Sequence, residues 1–201
     1  MLNTIISLII LLFSVVLHEI AHGFTAYKLG DPTAKYAGRL SFNPLKHLDP
    51  VGSFLFPTIT LILTLGKGPI FGWAKPVPIN PRNLIDQKWG QLKVAIAGPA
   101  MNFIIAIVSG LLIRFLIMPD FMFSILTMVC IYNIFLGLFN LIPVSPLDGS
   151  HILFSILGNR NVKIKMIFQQ YGFFFLFLVL FWGLDFLYIL ALKIFSLIVG
   201  L

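Results

Sequence analysis

The chain has 201 residues, 59% of them hydrophobic and only 10% charged, with a mean hydropathy of +1.00; a soluble globule does not carry that balance. The net charge of +7 is scattered through short loops between apolar runs, a distribution that fits topology signals and anionic lipid headgroups better than nucleic acid. The length suits one integral membrane unit over residues 1–201, built from about four to six apolar segments of roughly 20 residues each, without room for a second soluble domain.

The first apolar run, about residues 2–27, lacks the basic start and small-residue cleavage site of a secretory signal and is expected to stay as a helix. It ends in "SVVLHEIAHGF", after which "KLGDPTAKYAGRLSFNPLKHLDP" leaves the membrane core. The next apolar stretch, 51–66, is shorter than a straight span needs and is interrupted by Pro57, so it is expected to re-enter or lie shallow. "WAKPVPI" reads as an extended edge strand, because each residue before a proline is pushed toward extended backbone. Residues 92–118 form a second span. A third core helix over 121–157 breaks at "PVSPLDG". Residues 167–201 are apolar apart from Asp185 and Lys193, as one long tilted helix or two short ones. The single cysteine, Cys130, lies in an apolar run and reads as a packing residue. The expected fold is an all-α polytopic membrane protein, a bundle around a three-helix core with a small strand or loop element on its cytoplasmic side.

Charge sets the orientation. Lys28, Lys35, Arg39 and Lys46 precede the 51–66 stretch, and Lys67, Lys75, Arg82, Lys88 and Lys93 follow it. Both flanks are cytoplasmic by the positive-inside rule only if that stretch does not cross. The N-terminus is then outside, the second span runs outward and the third returns.

His18 and His22 are one helical turn apart, on one face, where two imidazoles can share an ion. Glu19 between them is free to act on a water at that ion, which makes HExxH a zinc motif with a mechanism. Two histidines and a glutamate inside an apolar helix are costly unless something compensates them. A catalytic zinc needs a third protein ligand. Asp148, at the end of the third span, reaches the cytoplasmic side at the depth of the histidines, which favours it over Asp120 and Asp185. Asp31, His47, Asp49, Asp86 and His151 share that side, with His151 the best rival; Asp148 alone would read as a turn or cap aspartate before Gly149. Asn102 and Asn140 lie in apolar helices, where amides usually bond neighbouring helices but near a metal can hold a substrate backbone. Gly98 and Gly110 read as close helix packing.

With "HEIAH", "AGPAMN" and "FNLIPVSPLDG" in place, the chain resembles the site-2 protease family of intramembrane zinc metalloproteases, over residues from about 14 to 152. "GDPTAKYAGRLSFNPLKHLDPVG" and "FGWAKPVPINPRN" resemble its compact bacterial branch without PDZ or CBS domains. The resemblance implies His18, His22 and Asp148 as Zn2+ ligands, Glu19 as general base, and Asn102 and Asn140 as substrate contacts. It implies transmembrane proteins or leftover signal peptides as substrates, in a bacterial-type inner or plasma membrane with the active site toward the cytoplasm. Ser145 stands where that family usually has Asn or Pro, a departure that bears on substrate contacts more than on the metal. The competing class is a membrane metal transporter or metal sensor, which would space ligands across the membrane depth.

Overall fold

The computed structural model describes residues 2–63, 72–158 and 162–200. Helix α1 (Leu2–Lys28) has 27 residues, about 40 Å at 1.5 Å per residue, enough to cross a hydrocarbon core of about 30 Å. It stops where Gly30 takes a φ of 101°. The Gly30 N–H then reaches the Tyr27 carbonyl at 3.2 Å and the Asp31 N–H the Ala26 carbonyl at 2.9 Å, a Schellman closure that needs a residue without a Cβ at the left-handed position.

After the short α2 (Thr33–Tyr36) and a 3-10 turn at Pro44–His47, a π-helical turn at Pro50–Leu55 runs into α3 (Phe56–Leu63). Asp49 caps it, accepting the N–H groups of Val51 at 3.0 Å and Gly52 at 2.7 Å. Residues 50–63 amount to about 20 Å of helix, short of a full crossing; the remainder of the 51–66 stretch from residue 64 onward lies outside the described residues. Segment 72–80 is extended, but among the described residues it forms no strand. It makes one antiparallel bridge, Leu48 to Ala74. Pro76 and Pro78 have no N–H, so a ladder cannot propagate past them.

Helix α4 (Gln87–Phe115) is the central element and packs against α1, α5 (Asp120–Asn140), α6 (Asp148–Leu157) and α9 (Leu184–Val199). The core helix expected over 121–157 is therefore two helices, α5 and α6, joined by a turn. Beyond α7 (Val162–Gln170), α8 (Gly172–Leu178), a π-helical turn (Val179–Gly183) and α9 stack into one membrane-length run. Asp185 and Lys193 are exposed on it. Thr4–Lys28, Trp89–Phe115, Asp120–Asn140 and Gly172–Val199 are each long and apolar enough to span, and the chain is an all-α, multi-pass membrane protein. Away from the histidines, Ala106, Cys130, Ile134 and Ala191 form a buried core between α4, α5 and α9.

Candidate metal centre

Helix α1 carries His18 and His22 to α4, and α6 brings Asp148 to both. His18 Nε2 and His22 Nε2 lie 3.0 Å apart, and Asp148 Oδ2 lies 3.0 Å from the first and 3.2 Å from the second. Among the described residues these three form the one cluster of metal-ligating side chains. Asp148 does not act as a cap: Leu147 holds the N-cap position, with no side-chain cap bond. Gly149 allows this placement, because a Cβ there would run into the carbonyl oxygens of Leu141 and Ile142 at the end of α5.

The protonation pattern tests whether a cation fits. His22 Nδ1 is 2.7 Å from the Val94 carbonyl, which can only accept, so Nδ1 holds the hydrogen and neutral His22 presents a lone pair at Nε2. A second imidazole nitrogen and a carboxylate oxygen converge on that lone pair, and Asp148 Oδ2 is buried without a hydrogen-bond donor. His22 Nε2 and Asp148 Oδ2, two acceptors 3.2 Å apart in an apolar surround, repel unless a cation or a hydrogen sits between them, and a zinc ion meets that need. Zinc bonds of roughly 2.0–2.1 Å in a tetrahedron separate ligand atoms by about 3.3 Å, close to the spacing found. Two nitrogens and one oxygen match the three-ligand donor set that zinc takes from His and carboxylate side chains.

Gly98 of α4 sits directly over this cluster. A Cβ built on it would come within 2.6 Å of both Nε2 and Cε1 of His18, and closer still to His22 Nε2. Pro99, next to it, has no N–H to give the Ala95 carbonyl. Gly98 is thus not only a packing glycine: what it admits is the pair of imidazoles. Gly110 does serve packing, since its Cβ would meet Ile198 and Cys130.

Glu19 borders the same cavity, of about 640 Å³, together with Asn102, Asn140 and His151. Its Oε2 accepts the N–H of Val77 at 2.8 Å, a contact that nothing in the sequence indicated. Asn102 is fully buried, and neither its Nδ2 nor its Oδ1 has a partner. It lies one helical turn beyond Gly98 on the cavity wall. Asn140 donates to the Leu136 carbonyl at 3.0 Å. Asn133 is a plain helix tie, donating to Ser14 Oγ and the Val129 carbonyl, both at 2.9 Å.

The rival ligands have other occupations. His151 is exposed on α6 and lines the cavity outside the cluster. His47 is buried with Nε2 at 2.8 Å from the Ser41 carbonyl, Asp49 caps its turn, and Asp86 accepts the Trp89 N–H at 3.0 Å. Asp120 opens α5 and Asp185 opens α9. Asp31 is a buried anchor: it accepts the Asn80 N–H at 2.7 Å, Asn83 Nδ2 at 2.9 Å, and the Thr33 N–H and hydroxyl. Burial works to raise its pKa, but these donors outweigh it and hold the carboxyl below the ordinary aspartate range.

Residues 117–179 match peptidase family M50. YwhC of Bacillus subtilis, which carries a zinc metalloprotease name, is 40% identical over 186 residues, covering 86% of this chain and 78% of its own. Zinc metalloprotease MJ0392 of Methanocaldococcus jannaschii is 32% identical over 159 residues, 79% of this chain and 36% of its own. Rip2 of Mycolicibacterium smegmatis, also named for a zinc metalloprotease, is 29% identical over 168 residues, 81% of this chain and 61% of its own. The chain thus spans only part of the archaeal and mycobacterial relatives. No solved structure matches it.

Proposed function

The chain belongs to peptidase family M50, and from that premise we propose that it is a zinc metalloprotease cutting peptide bonds within or beside the transmembrane segments of membrane-anchored substrates. The observation that carries this reading is the convergence of His18, His22 and Asp148 beside Glu19 in one cavity. The three ligand residues would hold zinc, which when bound supplies Lewis acidity and a water of lowered pKa.

The remaining chemistry belongs to the chain. Glu19 takes the water's proton and returns it to the leaving amine. The unpartnered Asn102 amide, which lines the cavity from α4, has a donor and an acceptor to offer a peptide group, and Asn140 lines the same cavity as a second contact. A transmembrane helix hides its peptide bonds in its own hydrogen-bond ladder, so the substrate segment must unwind before it can be cut. Transmembrane proteins and leftover signal peptides are the substrate classes in view. His18 and His22 lie about 15 and 9 Å along α1 from its basic end at Lys28, which supports a site near the cytoplasmic face of a bacterial-type membrane. Residues 1–201 act as a single protease domain.

A transporter needs ligands at successive depths. Among the described residues there is one cluster, and Asp120 and Asp185 are exposed away from it. The test is purified protein in liposomes with a test substrate carrying one transmembrane segment. Zinc is expected in wild type and in Glu19→Gln, with cleavage slowed by about 10²–10⁴-fold in the variant. Zinc-loaded wild type that leaves the substrate intact, or a variant that cuts as fast, would refute the reading.

A further inference from the structure

Glu19 is held by the backbone of a segment far away in the chain. Its Oε2 takes the Val77 N–H at 2.8 Å across 58 residues. Val77 lies between Pro76 and Pro78, so its amide is the only main-chain donor over residues 76–78. Pro76 has a fixed φ, and Val77 itself is confined to extended backbone by the proline that follows. The donor therefore sits on a stiff stretch.

That stretch is tied down on both sides of Val77. The Arg39 guanidinium donates through Nη1 to the Lys46 carbonyl and through Nη2 to the carbonyls of Lys75 and, at 3.3 Å, Pro76. The Lys75 N–H donates to the His47 carbonyl at 2.9 Å, and Asp31 accepts the Asn80 N–H at 2.7 Å. Arg39, Asp31 and Val77 are all buried. The ties go to backbone groups, and the backbone N–H between them lands on the carboxylate of Glu19.

We propose that the Val77 N–H is a positioning donor for Glu19, and that Arg39 is the clamp that keeps it in place. The inference rests on the metalloprotease reading above. A glutamate on a helix has several rotamers; a fixed donor on Oε2 selects one and leaves Oε1 to take the proton. The same segment could instead pair with an extended substrate, and kinetics separate the two roles. Holding the base acts on kcat, whereas pairing with substrate acts on KM.

The experiment replaces Val77 in the full chain with its α-hydroxy acid, which exchanges only the N–H for an oxygen; the same chain assembled by the same route with valine at position 77, which keeps the N–H, is the control. Both are assayed in liposomes with the transmembrane test substrate. The hydroxy-acid protein is expected to bind zinc as wild type does, keep its KM, and lose at least tenfold in kcat relative to that valine control. Arg39→Ala lowers kcat in the same direction and adds nothing to the hydroxy-acid protein, because both act through one contact. A fall in kcat below tenfold, a loss carried by KM, loss of zinc, or additive losses with Arg39→Ala overturns the proposal. Wild type that carries zinc and does not cut would fail the metalloprotease reading instead.

Discussion

Gly98→Ala places one methyl group against two proposed zinc ligands, and its consequence follows from the distances. The new Cβ would lie 2.6 Å from His18 Nε2 and nearer to His22 Nε2, whereas carbon and nitrogen in ordinary contact stay roughly 3.5 Å apart. One or both imidazoles must move by about 1 Å, several times the roughly 0.2 Å that a zinc site tolerates. Altering one outer-shell partner already lowers metal affinity about 10–100-fold, so displacing ligands themselves should weaken zinc binding by at least about 100-fold, or roughly 2.7 kcal/mol. The helix should not suffer, since alanine in a helix interior is favoured over glycine by about 1 kcal/mol. Zinc affinity is read by competition with a chromophoric chelator, and folding by the melting of the metal-free protein in detergent. Gly110→Ala is the control: its Cβ meets Ile198 Cγ2 at 2.5 Å, far from the histidines, and should lower the melting temperature while leaving zinc affinity alone. Wild-type zinc affinity in Gly98→Ala would refute the reasoning.

Two further outcomes are expected. Asn102→Ala removes a buried amide with no partner, so stability should be unchanged or slightly higher, while kcat falls by about 10²–10³-fold if the amide contacts the reacting carbonyl; a large loss of stability with normal turnover would assign Asn102 to helix packing. Asp31→Asn should destabilise by about 2–4 kcal/mol at neutral pH, because several donors lose a charged acceptor. The folded pKa of Asp31 is depressed, so its contribution is complete above the unfolded value of about 3.9 and disappears as pH falls through the folded value. The melting gap between wild type and variant should therefore hold from pH 7 down to about pH 5 and narrow only below about 3.9, and a gap unchanged at pH 2 would contradict this.

What could be read from the residues alone depended on whether the relevant contact is local. His18, Glu19 and His22 lie within one helical turn, so spacing and polarity in an apolar run revealed them together. Asp148 is 126 positions beyond His22, yet charge-derived topology put it level with the histidines, since membrane crossing reduces distance to a single coordinate, and the structure brings it to 3.0 Å from His18 Nε2. Val77 was invisible as a donor to Glu19, because an amide hydrogen carries no residue-type signature. The strand expected at "WAKPVPI" did not extend beyond one bridge for a reason visible in its own prolines. The break between α5 and α6 was seen at "PVSPLDG", but the tight return that tucks Asp148 under α1 depends on Gly149 meeting the carbonyls of Leu141 and Ile142, a tertiary fact.

Helix α4 shows most directly why a single-sequence reading stops where it does. Ala95, Gly98, Asn102, Ala106, Ser109 and Gly110 are buried along the length of the helix, on a side of small residues of the kind that lets membrane helices approach closely. In its C-terminal half the smallness of Gly110 admits Ile198 and Cys130. In its N-terminal half the same property of Gly98 admits the ring nitrogens of two histidines. Gly98 and Gly110 are chemically identical and each lies in an apolar stretch; only the residues across the interface distinguish them. If that is right, one methyl group at each position should produce separable defects, metal loss at Gly98 and weakened helix packing at Gly110. If both substitutions merely lowered stability to similar degrees, α4 would be a packing surface throughout and the histidines would not depend on it.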